Sequence, residues 1–286
     1  MTDAEAVWGV APQTSTQDTS SQARPRFDRS ELRPFLIRFG AGYLALVMVM
    51  LGVGFLLTHL LADSIGRWDQ SVNEWFADRR AGAWNDTTGF ATSAVNTEPA
   101  IAIAFVIAVV LGVLHRWREA AFVVLALVLE VMVFLSVTFV VARDRPDVVR
   151  MNSTPSTSSF PSGHTAAATV LLIGLAVVVF WCTRRRTVRA ACLTTAVLLV
   201  VLVGFGRVYR GMHYPTDVVV GMLLGLACLW ISGYATAALW PQKSFRNNRT
   251  AGMTDHRSLT RGEARDNRRS GGAFGQDAPG WADPAA

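Results

Sequence analysis

The chain has 286 residues, 51% of them hydrophobic and only 17% charged, with a net charge of +6. Its length would suit one soluble domain, but so apolar and charge-poor a composition, with a mean hydropathy of +0.31, excludes one. The basic residues are spread loop by loop instead of forming a patch, which argues against nucleic acid as a partner.

Residues 1–34 are polar, rich in Ser, Thr and Gln, and end in Arg24, Arg26, Arg29 and Arg33. They read as a disordered segment, too long as an n-region for a cleaved signal peptide, so the first apolar run is expected to remain as an anchor. Six runs then approach the ~20 residues that cross a hydrocarbon core. They lie at about Phe39–Leu61, Val95–Leu114, Ala120–Val141, Ala166–Phe180, Ala190–Phe205 and Val218–Leu239. The expected fold class is therefore all-α, a polytopic membrane helix bundle of six transmembrane helices spanning 35–240. The tail, 241–286, mixes Arg, Asn, Gly, Asp and Pro without period and reads as disordered.

Arg116 and Arg118, then Arg184, Arg185, Arg186 and Arg189, then Lys243, Arg246 and Arg249 fall in alternate connections. The positive-inside rule puts these in the cytoplasm with both termini, and leaves the other three loops outside a plasma membrane. Trp117, Trp181 and Trp240 at run ends suit an interfacial belt. Cys182, Cys192 and Cys228 show no paired spacing, so neither a metal site nor a disulfide framework is expected, and they read as small core residues.

The outward loops hold most of the chemistry. In 62–94, Trp68, Asp69, Asn73, Trp75, Arg79 and Trp84 are spaced as in an amphipathic segment lying on a membrane surface, although a plain structured loop explains them equally well. The next loop opens Arg143-Asp144-Arg145-Pro146, and two arginines one residue apart can form a fork around a tetrahedral oxyanion or simply an Arg–Asp cluster ending a helix. It closes at Pro161-Ser162-Gly163-His164 before a long apolar run, where Ser162 suits an N-cap, Gly163 permits close approach, and the first-turn N–H groups attract anions. The third loop contains Arg207, His213, Pro215 and Asp217. Pro215 suits the first helical position, so Asp217 can reach back; the expected target is His213, whose ring it would orient and make more basic.

Arg143-x-Arg145-Pro146, Pro161-Ser162-Gly163-His164 and Arg207-x5-His213-x3-Asp217 together resemble the three motifs of the type 2 phosphatidic acid phosphatase superfamily, which also includes vanadium haloperoxidases. The resemblance implies metal-independent hydrolysis of a phosphomonoester or pyrophosphate through a phosphohistidine, with no cofactor. By position, His213 would attack phosphorus, Asp217 would hold and activate it, and His164 would protonate the leaving oxygen. Arg145, Arg207, Ser162 and the Gly163 N–H would bind the phosphoryl oxygens, with Arg143 a further candidate. Two departures stand out: Thr138 occupies the position of the family's first lysine, and Gly206 that of a serine. Arg143, or a water near Thr138, is expected to replace the lysine, or else the site is weaker.

A phosphate cage at an outer membrane surface suits a lipid phosphate whose tail stays in the bilayer. Polyprenyl pyrophosphate, phosphatidic acid and phosphatidylglycerophosphate all qualify, the polyprenyl carrier first. A phosphotransferase would use the same residues, and a non-catalytic lipid-binding or transport protein would need only the cations. Glu130, inside the third run, reads as protonated and hydrogen-bonded between helices in preference to a functional carboxylate. His59 and His115 have no partners in the pattern, and the sequence does not indicate an oligomeric state.

Overall fold

A computed structural model describes residues 32–94, 96–153 and 157–239, and every regular element among them is helical. The segment before Leu32 and the tail beyond Leu239 lie outside the described residues, and with them the expectations of disorder, Arg24, Arg26, Arg29, Trp240, Lys243, Arg246 and Arg249. The helices are α1 (Leu32–Phe55), α2 (Arg67–Asp78), α3 (Gly82–Ser93), α4 (Thr97–Val113), α5 (Trp117–Val141), α6 (Gly163–Cys182), α7 (Arg186–Tyr209) and α8 (Pro215–Leu239). Two wide π-helical turns, Leu56–Leu60 and Ala62–Gly66, link α1 to α2. In hydrocarbon every backbone N–H and C=O must find a partner within the protein, and a helix achieves this inside each apolar run.

Among the described residues five stretches are long and apolar enough to cross a bilayer: Leu32–Leu60, Trp117–Val141, Gly163–Cys182, Arg186–Tyr209 and Pro215–Leu239. The expected span at Val95–Leu114 differs. Its helix, α4, has 17 residues, about 25 Å at 1.5 Å each, and meets α3 at a 52° bend, so a sixth crossing exists only if the bent pair counts as one. The polar run Asn96-Thr97-Glu98-Pro99 interrupts the apolar sequence at that bend.

The core lies among α1, α5, α6 and α8. Val123, Ala126, Leu129, Val133 and Val137 of α5 are fully buried against Ala166 and Val170 of α6 and Leu224 and Cys228 of α8. Of the three cysteines only Cys228 is a core residue; Cys182 is exposed and touches Arg116, and Cys192 is half-buried. Glu130 is buried on α5, with Cys228 of α8 in its electrostatic neighbourhood.

What positions the functional end of the bundle is the contact between α6 and α8. Gly221 and Gly225, one turn apart on α8, face α6, and a Cβ at Gly221 would lie 2.6 Å from the Ser162 carbonyl oxygen. A Cβ at Gly225 would lie 2.6 Å from Thr169 Cβ and 2.7 Å from the Ala166 oxygen. This spacing of small residues lets the two backbones touch, as is common between membrane helices. It holds the start of α6 beside the start of α8, where the Ser162 N–H donates to the Asp217 carbonyl at 3.1 Å.

Gly221→Ala is therefore expected to lower thermal stability in detergent by the equivalent of about 1–3 kcal/mol, the usual cost of overpacking. Gly52→Ala, at a site on α1 with no atom within 4 Å of the added carbon, should leave the melting temperature unchanged or slightly raised.

Candidate active site

Three connections meet at one end of the bundle. α5 ends on Ala142, whose left-handed conformation (φ 45°) turns the chain so that Arg143 points inward instead of continuing the helix. The segment from Arg143 then runs to the cis Phe160–Pro161 bond and into α6. The α7–α8 connection turns at Gly211 (φ 69°), where a Cβ would strike Val148 at 2.6 Å, so glycine is required both for its backbone and for space.

His213 is 3% exposed. Its Nδ1 lies 2.7 Å from the Ser159 carbonyl oxygen, an arrangement in which Nδ1–H donates and Nε2 carries the lone pair. Burial first, then the positive charges of Arg207 and Arg145, push its pKa well below the ordinary 6.5, so the ring is neutral at neutral pH. The contact expected between His213 and Asp217 is replaced by this one. As expected, Pro215 opens α8 and the Asp217 carboxylate reaches back, but it accepts the N–H of Tyr214 at 3.1 Å. Its other partners are the Ser159 hydroxyl at 2.5 Å and Arg143 at 2.5 Å. Asp217 therefore reaches the histidine only through Ser159, whose hydroxyl it receives and whose carbonyl receives His213. Side-chain length explains the difference: from the first turn of α8 a short aspartate is already used up on the N-terminal backbone, as in a capping box.

The two arginines of the expected fork do different work. Arg143, 7% exposed, donates to Asp217 Oδ1, to Asp69 Oδ2 at 2.8 Å and to Thr216 Oγ1 at 2.9 Å, and stacks 4.4 Å over the Tyr214 ring. Burial works against its charge, but Asp217 and Asp69 outweigh it and raise its pKa. A guanidinium so engaged by two carboxylates is a structural clamp and is not available to replace the lysine absent at Thr138. Thr138 itself is buried with its hydroxyl unpartnered. Arg145 instead donates to backbone carbonyls, Met212 at 2.6 Å and Thr157 and Ser158 at 3.3 Å each, and keeps Nε unpartnered. Burial and Arg150 lower its pKa. Arg207, 3% exposed on the last turn of α7, likewise has an unpartnered Nε. Among the described residues neither has a carboxylate within 4 Å, so a buried Arg207 and a half-buried Arg145 share a space without an ion pair.

His164 faces the same pair: the charges of Arg207 and Arg145 act on it as they do on His213, and the two imidazoles feel each other. Its Nε2 lies 2.9 Å from Asn96 Oδ1. Ser162 sits at the N-cap of α6 in extended conformation, but its hydroxyl pairs with Thr165 Oγ1 at 2.9 Å instead of capping a backbone N–H. The Ala166 N–H closes the first turn on the Ser162 carbonyl, and the N–H groups of the residues between, Gly163 among them, are the kind a helix start leaves for an anion. His213, His164, Asp217, Arg145, Arg207, Ser162 and Gly163 are thus brought together at one end of the bundle. His59 and His115 stay away, the former packed against Phe55 with the rings tilted and the latter bonded to Val113.

Four participants escaped the sequence reading. Asp69, fully buried on α2, holds Arg143 and accepts the Thr216 N–H at 3.1 Å and its hydroxyl. Ser159, Thr216 and Asn96 supply the remaining polar contacts. Only Asp69 left a signal, an acid four residues before Asn73 in a segment otherwise suited to a surface. α2 is amphipathic as expected, yet Asp69 and Asn73 turn inward and Trp68 and Trp75 outward, each more than half exposed. Gly206 also finds a reason: a Cβ there would meet Thr92 of α3 at 2.9 Å, so glycine admits α3 against α7.

Comparison with known proteins agrees with this geometry. Residues 119–241 match the family model of the PAP2 superfamily, which contains all three motifs. A decaprenylphosphoryl-5-phosphoribose phosphatase of Mycobacterium tuberculosis is 39% identical over 90 residues, 30% of this chain and 43% of that one. An undecaprenyl-diphosphatase of Sulfolobus acidocaldarius is 31% identical over 137 residues, 46% of this chain and 50% of that one. The matches thus span half or less of these curated relatives. The crystal structure of a transmembrane PAP2-type phosphatidylglycerolphosphate phosphatase from Bacillus subtilis superposes with a TM-score of 0.55 at 21% identity, covering 72% of this chain and 94% of that one, and so shares its fold. The three motifs thus converge on one anion-ready site inside residues 119–241, the segment of this chain that matches the PAP2 superfamily.

Proposed function

We propose that the protein is an integral membrane lipid phosphatase that hydrolyses a polyprenyl phosphate or pyrophosphate, or a phosphatidic-acid-type lipid, through a phosphohistidine at the extracytoplasmic face of the cell membrane. The observation that carries the proposal is a neutral, buried imidazole with Nδ1 tied to Ser159 beside two arginines without counterions. A binding protein needs the cations; it does not need a ring whose tautomer is fixed with a lone pair on Nε2.

In the first step Nε2 of His213 attacks phosphorus, the bond to the lipid-side oxygen breaks, and His164 supplies the proton that oxygen requires. Arg145, Arg207, Ser162 and the Gly163 N–H carry the charge on the other oxygens, where positioning and electrostatics do most of the work in phosphoryl transfer. In the second step water attacks the phosphohistidine, giving a proton to His164 and releasing inorganic phosphate. Nothing in this scheme requires a metal. The relatives named for polyprenyl-linked substrates favour that class, and the apolar helices around the site suit a tail that remains in the bilayer. The extracytoplasmic assignment rests on the basic residues Arg116, Arg118, Arg184, Arg185, Arg186 and Arg189, which lie in the connections away from the site.

Purified protein is expected to release phosphate from undecaprenyl pyrophosphate or phosphatidic acid with chelator present, and His213→Ala to reduce this by at least about 1,000-fold, as loss of a nucleophile does. A parent protein that binds these lipids without releasing phosphate would overturn the enzyme reading in favour of a binding or transport role. The depressed pKa of His213 sets the pH dependence. Only the neutral ring attacks, so the acid limb of kcat should lie below pH 6.5 and not at it. Below pH 6.5 the unfolded chain binds a proton that the folded one refuses, so stability should fall with pH, by up to about 1.4 kcal/mol per unit, and His213→Gln should flatten that slope.

A further inference from the structure

The geometry points to α2, which lies outside the segment matching the family, as part of the catalytic apparatus, with Asp69 as a positioning residue for His213 and Asn73 as its support. This rests on the function proposed above. Asp69 is entirely buried and Asn73 is 1% exposed, one helical turn apart on the face turned to the site. A surface helix that buries an acid and an amide while exposing two tryptophans is built to deliver those polar groups.

Asp69 delivers to two places. Its carboxylate grips Arg143, whose other end grips Asp217, and it accepts the N–H and hydroxyl of Thr216 in the first turn of α8. It therefore serves as an N-cap supplied from another helix. Asn73 donates to the carbonyl oxygens of His213 at 3.2 Å and Val208 at 3.1 Å, which ties down the backbone of the nucleophile. From Asp69 the contacts run through Arg143 to Asp217, from Asp217 to the Ser159 hydroxyl, and from the Ser159 carbonyl to the His213 ring. The two carboxylates also hold Arg143 from both sides. With Asp217 as its sole partner Arg143 would be free to tilt toward the phosphate space beside Arg145 and Arg207; a second carboxylate on its far side holds it back. Removing the charge on Asp69 releases Arg143, and with it the tension that sets Asp217 and Ser159.

Full-length protein with Asp69→Asn is expected to keep its elution volume and to lose about 10–100-fold in kcat with KM changed by less than about threefold, the pattern of a second layer acting through the reacting group. Asp69→Glu should regain part of the rate, and Ser71→Ala, exposed on the same helix, should match the parent. Because Asp69 acts through Arg143, adding Asp69→Asn to Arg143→Gln should cost nothing further. A normal kcat in Asp69→Asn, a change confined to KM, or losses that multiply in the double variant would overturn the inference. If Asp69→Asn does not fold, Thr216→Val removes the hydroxyl between Asp69 and Arg143 and should lower kcat by about threefold to tenfold, and an unchanged rate would count against it. A readout without turnover separates this from the enzyme reading. Diethyl pyrocarbonate should label His213 faster in Asp69→Asn than in the parent while His59 and His115 label equally. Equal labelling of His213 would sink the positioning role, whereas failure of the parent to release phosphate would sink only the proposed activity.

Discussion

A guanidinium buried between two carboxylates is the contact on which this end of the molecule depends. Arg143 would be among the costliest groups to bury alone, and Asp69 and Asp217 would be no easier. Together they fix three elements that no hydrophobic contact could set in register, since apolar packing has no direction: α2 through Asp69, the post-α5 turn through Arg143, and the start of α8 through Asp217. Breaking such a cluster on one side is far worse than never having built it, because a charge is then left in the protein without a partner. The Tyr214 ring over Arg143 and the Thr216 hydroxyl beneath it complete the enclosure.

The apolar packing below supplies a different kind of order. Gly221 and Gly225 bring α8 onto α6 at backbone distance, and the buried valines and leucines of α5 close the third side. This fixes depth and spacing, so that His164 on α6 and Asp217 on α8 arrive at the same level. The polar cluster then fixes angle. Catalytic groups need both, because phosphoryl transfer is governed mainly by placement.

The fold was largely legible because hydrocarbon admits few alternatives. Each apolar run long enough to cross became a helix, and the run that fell short, Val95–Leu114, is the one whose helix is short and bent against α3. The convergence of His164, His213, Asp217, Arg145 and Arg207 was legible as well, since proline, glycine and helix starts lie at the motif positions. What could not be read was which polar atom meets which. Proximity along the chain pairs Asp217 with His213, but the Tyr214 N–H and the Ser159 hydroxyl are nearer in space, and backbone partners have no sequence signature. Asp69 was missed because it lies 74 residues from Arg143 and sits in a segment whose tryptophans dominate its appearance.

Arg145 and Arg207 remain the point where the molecule is least at ease with itself. Two like charges held close together repel each other, whereas Arg143 beside them is answered by two carboxylates. The chain tolerates this because the rest of the bundle holds the two side chains there, so this pair is a local weakness of the fold. A tetrahedral oxyanion reaching it relieves the repulsion, which means that attraction for the guest and cohesion of the host draw on one and the same free energy at this spot. In the reaction proposed above, cohesion gained on binding would be given up each time inorganic phosphate leaves.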